Sequence, residues 1–212
     1  MSNARPPSPL GILLARPVVA ILRGVQPDEV LGVADVLLRA GFTSIEVPLN
    51  SPQPLHSIEK LARHCPPEVL VGAGTVLREA DVDACAAAGA RIVLAPNTNL
   101  RVIERAVARG LLTMPGVATP SEGFAALEAG AQLLKMFPAD VLGTASLKAW
   151  RSVFPSGTPF FAVGGIDADN MPAFRRAGAS GVGLGSALYA PGIALGELET
   201  RARRMLAAWP AG

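Results

Sequence analysis

Of the three lysines in this chain, only one is surrounded by apolar residues. Lys60 and Lys148 lie in helix-like stretches beside other polar positions, as solvated lysines do. Lys135 sits in LLKMFPA, between Leu133–Leu134 and Met136–Phe137. On a strand, Leu133, Lys135 and Phe137 share one face. A free lysine titrates near ~10.4 and is protonated at neutral pH. Desolvation disfavours the ammonium and so makes the amine a nucleophile toward a ketone. The alternative is a lysine that snorkels to a rim or pairs with an acid. Glu46, in SIEVPLN, is a candidate acid, with Ile45 and Val47 pointing opposite to it. Buried, it would serve as counter-ion to Lys135 or carry protons to and from the reacting carbons. The two roles are compatible, and the pair would titrate together.

Two glycine pairs, in AVGGID (162–167) and GLGSAL (183–188), have the form of an anion site. Gly164, Gly165 and Gly185 let backbone N–H groups approach a phosphate, and Ser186 can add a hydroxyl. Either pair alone reads as well as a tight turn. Arg23 and Thr75 remain to hold a carboxylate, Arg by a charge-assisted fork and Thr by its hydroxyl. Arg23 alone could equally form a rim salt bridge. His56 and His64 fall on a helix away from these segments and read as surface residues. No Asp/His/Cys cluster has metal-ligand spacing, so neither a metal nor another cofactor is expected.

Periodic punctuation indicates the elements that must position these groups. Gly41, Gly89, Gly110, Gly130 and Gly178 each follow an amphipathic stretch and precede an apolar run, at spacings of 48, 21, 20 and 48 residues. Each reads as a helix C′ glycine. The two long gaps each hide a further break, CPPE at 65–68 and PSG at 155–157. Seven helix-to-strand junctions imply eight strand–helix units. The strands are expected at 18–22, 44–47, 69–73, 92–95, 111–114, 133–136, 160–163 and 181–184, with helix caps at Asp28, Ser51, Thr119 and Asp167. Short apolar strands alternating with helices predict an α/β protein, a single (β/α)8 barrel. Residues 17–212 form that catalytic domain in this reading, and residues 1–16 a Pro-rich, loose lead-in. A doubly wound open sheet commonly carries GxGxxG after its first strand, whereas this chain reads ILRGVQPDE. In a barrel, the candidate residues all fall at the C-terminal ends of strands, where such folds place their chemistry.

Composition sets outer limits. The 212 residues are 50% hydrophobic and 17% charged, with a formal net charge of +2 and no dense basic run, so nucleic-acid binding has little support. The longest apolar run, 18–22, is far too short to suggest a membrane span. The N-terminus lacks the blocks of a signal peptide, and two cysteines give no disulfide framework; a reducing cytoplasm is expected.

Seven segments together resemble the aldolases that cleave 2-keto-3-deoxy-6-phospho sugar acids, the KDPG and KDPGal aldolases. They are AILRG (20–24), EVPLNSP (46–52), VGAGTVL (71–77), MPGVAT (114–119), LKMFPA (134–139), AVGGI (162–166) and GLGSALY (183–189). The resemblance implies a class I aldolase, with a Schiff base on Lys135 and Glu46 as general acid/base. It further implies substrate contacts from Arg23 and Thr75, phosphate binding by Gly165, Gly185 and Ser186, and a homotrimer. The gluconate branch often reads EVTLRT and PTGG where this chain has EVPLNS and AVGG. Asn50 and Val163 in those places, with Arg23 ending the first strand, look like the galactonate branch. The expected reaction is cleavage of 2-dehydro-3-deoxy-6-phosphogalactonate to pyruvate and glyceraldehyde 3-phosphate. The alternatives are a gluconate-type or dual-specificity aldolase, another phosphate-binding barrel enzyme such as an isomerase or synthase, and a non-catalytic sugar-phosphate binder.

Overall fold

The five glycines that punctuate the sequence mark real helix ends. All have left-handed φ values, from 70° at Gly110 to 108° at Gly41, a region that glycine enters at little steric cost. In the structure, a computed structural model describing residues 8–210, each lies just past a helix and ahead of a strand. The strands are β1 Val18–Ile21, β2 Ser44–Pro48, β3 Leu70–Gly74, β4 Ile92–Leu94, β5 Leu112–Met114, β6 Gly116–Val117, β7 Leu134–Met136, β8 Phe160–Val163 and β9 Gly181–Leu184. The helices are α1 Pro9–Ala15, α2 Val30–Ala40, α3 Pro54–His64, α4 Glu79–Ala87, α5 Leu100–Ala108, α6 Pro120–Glu128, α7 Ala139–Arg151, α8 Met171–Arg176 and α9 Leu195–Ala208.

Every strand pairing is parallel, in the order β5-β4-β3-β2-β1-β9-β8-β7-β6. The expected eight strands appear as nine segments because Pro115, which has no N–H to donate, divides the fifth into β5 and β6. On one side of the division, Ala95 N donates to Met114 O at 3.2 Å. On the other, Lys135 N donates to Pro115 O at 2.9 Å. The interrupted strand therefore joins β4 to β7, and the sheet is a nearly closed (β/α)8 barrel.

Side chains alternate between two cores. Val18, Ala20, Ile45, Val47, Leu134 and Met136 pack outward against the helices. Val19, Ile21, Leu70, Ile92, Met114, Leu133, Phe161 and Val163 fill the interior. Close packing requires small residues opposite large ones: a Cβ on Gly181 would fall 2.3 Å from the Phe161 ring.

The N-terminal segment departs from the expected lead-in. From Ser8 onward it is part of the barrel, because α1 places Ile12 and Leu13, 5% and 0% exposed, in the interior cluster. Ser8 caps this helix by accepting from Gly11 N at 3.1 Å. Seven residues are too few to form a helix without tertiary packing, and such packing leaves no periodic signal in so short a stretch. The expectation for residues 1–7 lies outside the described residues.

Of the expected caps, Thr119 forms a capping box with Glu122. Asp167 instead accepts from the N–H groups of Asp169 and Asn170 in the turn before α8. Asp28 and Ser51 are not cap residues; α2 and α3 begin after Glu29 and Gln53, and the Ser51 hydroxyl accepts from Gly24 N at 2.9 Å.

Leu13→Ala removes most of a fully buried side chain from the barrel floor. It is expected to lower unfolding free energy by about 2–5 kcal/mol in urea titrations. A loss below about 0.5 kcal/mol, what a surface change gives, would mean that α1 does not plug the barrel in solution.

Candidate active site

The inward face of β7 carries Lys135, and that of β2 carries Glu46. Their sequence neighbours fix the direction, since Leu134, Met136, Ile45 and Val47 all pack outward. Both side chains are buried, Lys135 at 7% and Glu46 at 3% exposure. Among the described residues no ion pair joins them, and Glu46 Oε2 has no hydrogen-bond partner. Lys135 Nζ lies 4.5 Å from the centroid of the Phe137 ring. A tight counter-ion pair is therefore not what the barrel holds. Two separated groups face one space, each within electrostatic reach of the other.

Burial dominates both titrations. It draws the Lys135 amine below the ordinary lysine value, against the pull of the Glu46 charge, and nearby Arg23 lowers it further. Burial raises the Glu46 carboxyl from 4.5 to about 7, with Lys135 and Arg23 opposing. A carboxyl titrating near neutrality can both give and take protons, and a less protonated amine can attack a carbonyl.

Glu46 fits only because β3 is small beside it. A Cβ on Gly74 would lie 2.1 Å from Glu46 Oε2, so any side chain there would displace the carboxylate. Sequence reasoning places Gly74 at a strand end without giving it this role. The β2–β3 register, Pro48 opposite Gly74, is what reveals it. Thr75 follows with φ of 57°, a left-handed backbone that is unusual for a β-branched residue. Such conformations cost about 1–3 kcal/mol and persist where surrounding structure enforces them. Thr75 is half-buried, directly after the Gly74 that faces the Glu46 carboxyl.

Arg23 ends β1 and is exposed, with Nη1 donating to Asn50 Oδ1 at 2.6 Å. Two of the residues that look like the galactonate branch thus meet each other, and Asn50 orients the guanidinium. Across the barrel, Val163 ends β8 facing inward at 4% exposure. Gly164 and Gly165 follow with φ of 98° and 63°. Gly165 packs directly against Asp140, whose Oδ2 would lie 2.4 Å from an added Cβ. The LKMFPAD run contains Asp140, but nothing in it signals contact with residue 165. On β9, Gly185 has open space above it, and Ser186 is exposed. Of the ten sequence-predicted site residues, Lys135 and Glu46 project inward from mid-strand, and the other eight lie at or just past the C-terminal ends of strands. His56 and His64 lie outside this group, exposed on α3, with His64 Nε2 2.6 Å from Asp35 Oδ1.

The sequence profile of the family described as "KDPG and KHG aldolase" matches residues 11–200. A relative from Rhizobium meliloti, named "probable 2-dehydro-3-deoxy-6-phosphogalactonate aldolase", is 46% identical over 93% of each chain. A solved structure described as "Native KDPGal structure" superposes with a TM-score of 0.90 at 43% identity, covering 91% of this chain and 94% of its own. A second, a cube-shaped cage designed by fusing symmetric oligomeric domains, gives 0.89 at 43% identity, covering 91% of this chain and 71% of its own. The chain belongs to the KDPG and KHG aldolase family.

The raised Glu46 value has a consequence for stability. A carboxyl that titrates higher when folded than when unfolded binds more protons in the native state, so its ionisation destabilises the fold as pH rises from about 4.5 to about 7. Glu46→Gln removes that titration. The stability difference between the variant and the wild type is expected to shift in the variant's favour across this window, by on the order of 2–3 kcal/mol in urea melts. Parallel curves from pH 4.5 to about 7 would show that Glu46 is not held in a desolvated site.

Proposed function

We propose that this chain is a class I aldolase that cleaves 2-dehydro-3-deoxy-6-phosphogalactonate to pyruvate and D-glyceraldehyde 3-phosphate through a Schiff base on Lys135. The observation that supports this most is the separated, desolvated pair of Lys135 and Glu46 inside one barrel mouth. A ketone carbon can stand between them.

The unprotonated Lys135 amine attacks the C2 ketone to give a carbinolamine. The Glu46 carboxylic acid protonates the departing hydroxyl, water leaves, and an iminium and a carboxylate remain. Glu46 then takes the C4 hydroxyl proton as the C3–C4 bond breaks, its electrons passing to the iminium nitrogen. The aldehyde departs, and an enamine of pyruvate stays on Lys135. Glu46 protonates C3, and water hydrolyses the resulting iminium while Glu46 recovers its proton. One group serves at each step because its carboxyl titrates near the working pH.

Arg23, held by Asn50, takes the C1 carboxylate together with Thr75. The backbone of Gly164, Gly165 and Gly185, with Ser186, takes the phosphate. These anchors hold the ketone near the amine, and positioning of that kind can account for several kcal/mol of a barrier. Val163 offers a methyl where a threonine would offer a hydroxyl to the C4 region, which supports the galactonate epimer; so does the name of the 46%-identical relative.

A homotrimer is supported by three leucines exposed by 38–43%, Leu55, Leu77 and Leu100, and by the symmetric oligomeric domains from which the matched cage was designed. A cytoplasmic setting is supported by Cys65 and Cys85 remaining as free thiols.

Borohydride reduction in the presence of pyruvate is expected to add one pyruvyl group, mapped by mass spectrometry to Lys135. Lys135→Ala is expected to lose that adduct and at least about 10³-fold in kcat. An active, folded protein that gives no adduct at Lys135 would require a different chemistry.

Val163→Thr is expected to move the ratio of kcat/KM values for the two C4 epimers toward gluconate by roughly ten-fold, the effect of one hydrogen bond. Equal wild-type rates on both epimers would make this a dual-specificity enzyme, and an unchanged ratio in the variant would remove Val163 from the selection.

A further inference from the structure

β1 and β9 lie side by side, Ala20 opposite Leu184, so the loops that leave their C-terminal ends emerge as neighbours. One carries Arg23 and the other Gly185 and Ser186. They touch at two places. Gly24, with φ of 82°, packs against the Pro191 ring, whose Cγ would lie 2.8 Å from an added Cβ. Tyr189, only 3% exposed, donates its hydroxyl to Glu29 Oε1 at 2.7 Å, 160 residues away in sequence. The same oxygen accepts from Gln26 N at 3.0 Å. At the other end, the N–H groups of Tyr189 and Leu188 both donate to Gly185 O, at 3.0 and 2.9 Å. A continuous chain of bonds thus runs from the Gly185 carbonyl through Tyr189 and Glu29 to Gln26, three residues after Arg23. Burial and the Glu29 carboxylate hold the Tyr189 phenol above its ordinary value, so it remains a donor over the whole neutral range.

We infer that the Tyr189–Glu29 hydrogen bond is a positioning brace, which fixes the separation between the Arg23 loop and the Gly185–Ser186 loop. Only a substrate anchored at both loops senses that separation, so the brace presupposes the reaction proposed above. Pyruvate, which lacks the phosphate end, does not span the two loops.

Tyr189→Phe keeps the ring and removes only the hydroxyl. Its kcat/KM on the phosphorylated keto acid is expected to fall roughly ten-fold, mainly through KM, as expected when one buried hydrogen bond is removed. Pyruvate trapping on Lys135 should proceed at the wild-type yield. Glu29→Gln retains an acceptor oxygen and is expected to stay near wild type, whereas Glu29→Ala should lose at least as much as Tyr189→Phe, because it also removes the acceptor of Gln26 N. The double variant Y189F/E29A should be no worse than Glu29→Ala alone, since Glu29→Ala already removes the acceptor of the Tyr189 hydroxyl. An unchanged kcat/KM in Tyr189→Phe, or an equal loss of pyruvate trapping, overturns the brace. The wild type measured alongside separates the two claims. If it is active, such a result defeats the brace alone; if it is inactive on the phosphorylated substrate, both the reaction and the brace fail.

Discussion

Two groups of opposite charge tendency are held out of water in one barrel mouth without being allowed to neutralise each other. That constraint governs the rest of the site. Had Lys135 and Glu46 closed into an ion pair, each would have stabilised the charged form of the other, and the amine would be a poor nucleophile. Held apart, both are moved toward neutrality by desolvation, the lysine downward and the glutamic acid up to about 7. The cost falls on the fold, which keeps an unpartnered carboxylate oxygen buried.

The surrounding structure is arranged to sustain that cost. Gly74 leaves room for the carboxylate, and Thr75 takes a left-handed backbone immediately after it. Below, the interior is sealed by Phe161, Met114 and the α1 residues Ile12 and Leu13, which keep the floor of the barrel apolar. Lys135 itself is fixed at the seam of the barrel. Its N–H bonds Pro115 O, Gly116 is its partner in register, and Thr98 Oγ1 donates to Gly116 O at 2.8 Å. The break in the fifth strand is thus bonded from both sides, and Lys135 stands on backbone held on either flank.

What could be read from the sequence was local, and what could not was contact between distant segments. The C′ glycines and short apolar runs gave the alternation of helix and strand, because left-handed helix ends and buried parallel strands both leave compositional marks. The inward direction of Lys135 and Glu46 followed from the period of two in a strand. The split at Pro115 was not legible, since a missing N–H matters only once the partner strand is known. Burial of α1 was hidden for a related reason: seven residues carry too little pattern to announce a buried face. Asp28 and Ser51 are plausible cap types, yet Ser51 is occupied by Gly24 from another loop. Gly74 beneath Glu46, Asn50 on Arg23 and Tyr189 on Glu29 all depend on register or on loops far apart in the chain.

In the reaction proposed above, chemistry and recognition fall to different parts of the barrel. Lys135 and Glu46 stand on strands whose positions are determined by two cores and a closed ladder, so their separation changes little when a loop changes. Arg23, Asn50, Ser186 and the Gly164–Gly165 turn stand beyond the strand ends, outside the closed ladder. Val163 is the intermediate case, a strand-end side chain packed in the barrel interior. Under the reaction proposed above, substrate preference would rest on one methyl in place of a hydroxyl and on where a guanidinium is tethered.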